Sequence, residues 1–172
     1  NFMESVELFI KKSIEVNNIG NKLMFIGNGG SSTIASHMAE DFSKAANIRA
    51  MSFNDSAFIT CLANDYGYEY IFSKQIELFA KDGDILVAIS SSGESPNIIN
   101  AVKIAKKIGC WVLTLSGFKQ GNSLSNLGDL NIYVPSDQYG LVEISHLTIC
   151  HGALDIALGW TDNKKNDLKV AV

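Results

Sequence analysis

Four serines fall within six residues at Ser90-Ser91-Ser92-Gly93-Glu94-Ser95, so one short turn carries four hydroxyls. The segment before it is a short apolar run over 85–90, which suits a strand buried on both faces. Pro96 follows, and proline is tolerated in the first turn of a helix because that N–H has no partner there anyway. Hydroxyls and free backbone N–H groups therefore meet at a helix N-terminus, a place suited to a phosphate or similar anion. No lysine or arginine lies in the turn, so neutral donors and the helix dipole would hold the charge. Serine-rich turns of this kind also serve as plain helix caps.

A second loop is built in the same way. Gly27-Asn28-Gly29-Gly30-Ser31-Ser32 follows an apolar run over 22–26. Glycine lets backbone approach a ligand closely and permits positive φ. The loop is neither a P-loop, since no GK[ST] follows, nor a G-x-G-x-x-G, since Ser32 stands at the third glycine position. Its force comes from being paired with the serine turn.

The titratable residues that can do acid–base work lie on two helical patterns. His37 follows the first loop, with Glu40 three residues on and Asp41 four, so both carboxylates can share its face. His146 and His151 lie near the C-terminal end, with Glu143 three residues before the first and eight before the second. A lone histidine is usually a hydrogen-bonded core residue. The place of His37 and Asp41 just behind a ligand loop gives them a second, functional reading.

Positioning these residues takes an alternating series of elements. Apolar residues at Val6, Phe9, Ile10 and Ile14 predict an amphipathic helix over 3–17, stopped at Gly20. Strands are predicted over 22–26, 48–53, 85–90, 111–115 and 130–134. Helices are predicted over 33–45, from the cap at Asn54-Asp55-Ser56 to about 63, over 68–80, 97–108 and 142–158, with a short one around 122–127. Residues 161–172 read as a polar tail, and 1–160 as one domain whose first twenty residues pack in an oligomer. Alternating strands and helices call for an α/β fold: a three-layer αβα sandwich around a five-stranded parallel sheet. Ligands of such sheets sit beyond the carboxyl ends of the strands. Both small-residue loops lie at such ends and can converge on one ligand.

Composition narrows the partners. A length of 172 residues suits one well-buried domain, and 47% hydrophobic content with two prolines argues against disorder. The net charge of −4, with no basic run beyond Lys164-Lys165, argues against nucleic acid. No stretch reaches membrane-spanning length, and no signal peptide pattern is visible. Cys61, Cys110 and Cys150 are odd in number and flanked by apolar residues, as expected of reduced core residues in a cytoplasmic protein. Leu147, Ile149, Leu154, Ile156 and Leu158, with the first helix, offer more apolar face than one sheet needs, which points to an oligomer.

The segments GNGGSSTIASHMAEDF and LVAISSSGESPNIINAV, with CLANDYGYEYIFSKQI between them, resemble the SIS (sugar isomerase) domain family, and most closely its phosphoheptose isomerase branch. The likeness runs from the first helix to Leu158. It implies a flavodoxin-like sheet and a homotetramer whose sites are shared between subunits. It implies a phosphorylated sugar as ligand, no organic cofactor, and a Zn2+ ion as in zinc-containing members. Gly29, Ser31, Ser90, Ser91, Ser92 and Ser95 match phosphate and sugar contacts, and Asn28 and Asp65 match contacts to sugar hydroxyls. His37 matches a metal-holding histidine, and His151 the catalytic histidine of the last helix. Asp41 falls on the catalytic glutamate, and Glu143 on a glutamine beside metal or substrate.

Two departures from that pattern bear on chemistry. Asp41 is one methylene shorter than glutamate, roughly 1.5 Å of reach, and a displacement of about 1 Å can cost around a hundredfold in rate. Glu143 adds a charge, and the set His37, Asp41, Glu143 and His151 suits zinc or another divalent ion if the four converge. A Glu–His pair without metal fits the same residues. The activity the resemblance implies is aldose–ketose isomerisation of a phosphosugar, with Asp41 as base and His151 moving protons between oxygens. A phosphosugar-binding protein without turnover, and an isomerase of another phosphosugar, are the alternatives.

Overall fold

The computed structural model of the chain describes residues 1–159, so the expected tail over 161–172 lies outside the described residues. Five strands form one sheet: β1 (Leu23–Gly27), β2 (Ala50–Ser52), β3 (Ile85–Ser90), β4 (Trp111–Ser116) and β5 (Leu130–Tyr133). All neighbours are parallel, in the order β2-β1-β3-β4-β5. The helices are α1 (Phe2–Asn18), α2 (Gly30–Lys44), α3 (Ser56–Tyr66), α4 (Ile71–Phe79), α5 (Pro96–Ile108) and α6 (Tyr139–Ala157), with a 3₁₀ turn at Tyr68–Tyr70 before α4. This is the expected αβα sandwich.

Side chains alternate across a strand, so a strand covered on both faces must be apolar at every position. Leu23 and Phe25 of β1, Ile85, Val87 and Ile89 of β3, and Leu113 and Leu115 of β4 face α1, α2 and α6. Met24, Ile26, Leu86, Ala88 and Val112 face α3, α4 and α5. Each fully buried Leu, Ile or Phe contributes about 1.5–3 kcal/mol. The edge strands β2 and β5 are only half-buried and shorter than their apolar runs suggest.

Helix α2 leaves β1 toward one face and α5 leaves β3 toward the other. The chain therefore opens a crevice between β1 and β3, the switch point of this strand order. At the opposite end of the sheet the buried Asp84 accepts bonds from the Lys22 and Lys81 backbone N–H groups and from Lys22 Nζ.

Three local expectations are corrected. Residues 122–127 form turns, not a short helix. Asn122 Nδ2 donates to the Gly117 and Lys119 carbonyls, while its Oδ1 accepts from the Ser125 N–H. Such side-chain bonds compete with a helical backbone. Helix α2 begins at Gly30 and α6 at Tyr139, each three residues earlier than the pattern predicts. Cys61 is exposed, whereas Cys110 and Cys150 are buried, their thiols pushed up to about 11 and about 12 by burial.

Candidate active site

The crevice holds a cavity of about 250 Å³. The first loop lines it with Asn28, Gly29, Gly30 and Ser31, the second with Ser90, Ser91, Ser92 and Ser95, and α6 closes it with Tyr139 and Glu143. The N-cap residues of α2 and α5, Gly29 and Ser95, make no side-chain cap bond, and both helix N-termini border this space. Among the described residues no lysine or arginine lines it. Ser90 and Ser91 are buried, and among the described residues the Ser91 hydroxyl has no partner. A buried hydroxyl left unpaired costs about 1–3 kcal/mol, which a ligand oxygen would recover.

The serine turn is held from behind. The Gly117 N–H donates to the Ser91 carbonyl and the Leu124 N–H to the Gly93 carbonyl, both at 2.9 Å. Ser123 donates its N–H and hydroxyl to the Glu94 carboxylate, which holds that carboxyl below the usual range. Gly93 has φ +67°, and a Cβ there would strike the Asn122 side chain.

A second cavity of about 320 Å³ adjoins the first and shares Gly30 and Glu143 with it. Thr33, Ile34, His37, Ile144 and Leu147 complete its lining. Farther along the α2–α6 contact, Asp41 Oδ2 lies 3.5 Å from His37 Nε2 and 3.7 Å from His151 Nδ1. The two imidazole rings meet edge to face at 5.1 Å between centroids. One ligand atom from each of the three residues lies within 4.8 Å of the others, a group that can hold a metal ion. Two histidines and a carboxylate are donor types zinc takes, and three ligands leave a fourth position open.

Glu143 is not part of that group. It lies eight residues before His151, about 12 Å along the helix at 1.5 Å per residue. Its carboxylate packs over Gly30, where any Cβ would collide with it. It thus forms the wall between the two cavities. Asp65 lines neither: it sits exposed at the end of α3, where its carboxylate accepts from Asn64 Nδ2 and the Cys61 thiol. That contact raises the Cys61 thiol.

Three residues at the crevice go unnoticed in the sequence. Tyr139 lines the first cavity, its ring edge-on to Phe118 at 4.7 Å. Asn97 and Tyr68 both bond the Asn28 side chain. Asn97 carries a signal in hindsight, a polar residue directly after Ser-Pro at the start of an amphipathic helix. Tyr68 carries none.

A 2-1-3-4-5 parallel sheet whose switch-point cleft is built from two small-residue loops defines the class. Residues 3–117 match the model of the SIS domain, and the chain belongs to that family. Among named proteins, it is 37% identical over 153 residues to the phosphoheptose isomerase of Trichlorobacter lovleyi, which covers 85% of this chain and 77% of that one. It is 38% identical over 157 residues to that of Campylobacter concisus, covering 88% and 82%. Among solved structures, the phosphoheptose isomerase of Neisseria gonorrhoeae superposes with a TM-score of 0.84 at 29% identity, over 90% of this chain and 86% of that one. The Francisella tularensis phosphoheptose isomerase gives 0.83 at 31% identity, over 91% and 86%.

Proposed function

We propose that this chain is a phosphosugar aldose–ketose isomerase that interconverts sedoheptulose 7-phosphate and glycero-manno-heptose 7-phosphate for heptose synthesis. One observation carries the reading: a neutral anion cradle and a His–Asp–His group lie along the same pair of helices, α2 and α6, in a chain 33–40% identical to phosphoheptose isomerases. From Gly30 to His37 is about 10 Å along α2 at 1.5 Å per residue. A sugar with phosphate at one end and carbonyl at the other fits that separation.

The phosphate binds among Ser31, Ser90, Ser91, Ser92 and Ser95, with Asn28 and Gly29 beside the sugar. Binding at this remote end fixes the reacting carbons, and such energy is used for positioning. Asp41 takes the proton from the carbon next to the carbonyl, giving an enediol, and returns it to the neighbouring carbon. His151 gives a proton to one oxygen and takes one from the other, a task suited to imidazole near neutral pH. His37, Asp41 and His151 would hold a zinc ion, which polarises a carbonyl when bound. Glu143 faces the sugar from α6.

The exposed apolar residues of α1 and α6, among them Phe2, Met3, Leu141 and Ile144, support a homotetramer that covers them and shares its sites between subunits. Among the described residues no helix is long and apolar enough to cross a membrane. The free cysteines favour the reducing cytoplasm.

Asp41→Asn and His151→Ala test the roles. Each variant is expected to bind sedoheptulose 7-phosphate within about threefold of the parent by calorimetry while losing on the order of a hundredfold or more in turnover. Full activity in both would remove the assignment.

A further inference from the structure

Asn97 is 2% exposed and does not line the crevice cavity, yet it bonds a residue that does. It is the second residue of α5 and lies 69 positions from Asn28. The two carboxamides form a closed pair: Asn28 Nδ2 donates to Asn97 Oδ1 at 2.9 Å, and Asn97 Nδ2 donates to Asn28 Oδ1 at 2.8 Å. Such a pair has two orientations of equal geometry, because amide N and O can exchange places. A third contact decides between them. The Ile98 backbone N–H donates to Asn97 Oδ1 at 3.0 Å. Reversing Asn97 would set its NH₂ against that N–H, donor to donor. With Asn97 fixed, Asn28 is fixed too.

The consequence falls on Asn28. Its Oδ1 accepts from Asn97 Nδ2 and from the Tyr68 hydroxyl at 3.2 Å, which fills both lone pairs. Its Nδ2 has two hydrogens, and Asn97 takes one. We propose that Asn97, assisted by Tyr68, is a positioning residue that turns the Asn28 carboxamide so that it offers the ligand an N–H and no free acceptor. Asn28 then meets an oxygen lone pair of the ligand, such as a carbonyl, hydroxyl or phosphate oxygen, and the same pair ties the first loop to the start of α5. The inference rests on the reading of this cleft as a sugar-phosphate site.

A double-mutant cycle tests it. Asn97→Ala, Asn28→Ala, Tyr68→Phe and the doubles that include Asn28→Ala are assayed for kcat and KM with sedoheptulose 7-phosphate. Melting temperature is measured alongside. Asn97→Ala is expected to lower kcat/KM about twentyfold in the parent and less than about twofold in the Asn28→Ala background, since residues acting as one unit are not additive. Tyr68 is exposed, so its phenylalanine variant should fold normally. It should lose about fivefold in the parent and nothing further beside Asn28→Ala. Losses that add in full in both backgrounds would overturn the proposal and leave Asn97 a structural residue. If the parent turns over no sugar phosphate, the isomerase reading fails by itself. The cycle is then scored on the Kd for sedoheptulose 7-phosphate by calorimetry, where the same non-additivity supports the positioning role and additive losses overturn it.

Discussion

Asp41 stands between two imidazoles, with Oδ2 3.5 Å from His37 Nε2 and 3.7 Å from His151 Nδ1. Half of this arrangement is legible in the sequence: His37 and Asp41 are four apart on a helix, so they must share a face. The His151 contact is not, because it depends on α2 and α6 lying side by side, and residue spacing says nothing of which helices meet. Another histidine shows the opposite environment. His146 is fully buried; its Nε2 donates to the Ser116 carbonyl at 3.2 Å, and among the described residues its Nδ1 has no partner. Burial lowers its pKa to about 4, an effect the Ser116 carbonyl only partly offsets. The unfolded chain therefore takes up a proton near pH 6.5 that the folded chain refuses. The stability held above pH 6.5 is lost progressively as pH falls toward 4, by roughly 3 kcal/mol from this residue. Urea unfolding at pH 7, 5.5 and 4.5 should show that loss, and His146→Gln should flatten it; an unchanged slope in the variant would contradict the account.

Strands β1, β3 and β4 are readable because a strand buried on both faces has a continuous apolar sequence, and the loops after β1 and β3 are readable because their residues are small. The segment over 122–127 is misread as helical, and the same bonds that prevent the helix brace the serine turn. Asn122 lies beneath Gly93, Ser123 bonds Glu94, and Leu124 bonds the Gly93 carbonyl. The proposed anion cradle is thus an assembly of two turns, only one of which has a sequence signature. Gly93→Ala would meet Asn122 and force a side chain into positive φ, a conformation costing about 1–3 kcal/mol. The variant should melt lower than the parent and lose the stabilisation that inorganic phosphate gives. A retained phosphate shift in melting temperature would contradict the cradle.

At the scale of the whole molecule, the strand order places the crevice between β1 and β3, and α2 and α6 run from that crevice to the His–Asp–His group. On the proposed function, the crevice holds the phosphate and the His–Asp–His group does the chemistry, and α2 and α6, which lie side by side, carry residues of both. Asp41 is one methylene shorter than the glutamate of the pattern the chain resembles, so turnover itself is the decisive observable. The direct measurement is incubation of the protein with sedoheptulose 7-phosphate, with added zinc and in parallel with EDTA, followed by ¹H and ¹³C NMR of the products. The account predicts signals of an aldoheptose 7-phosphate that grow with time, faster with zinc than with EDTA. A sugar phosphate that binds yet yields no aldose under either condition would contradict it.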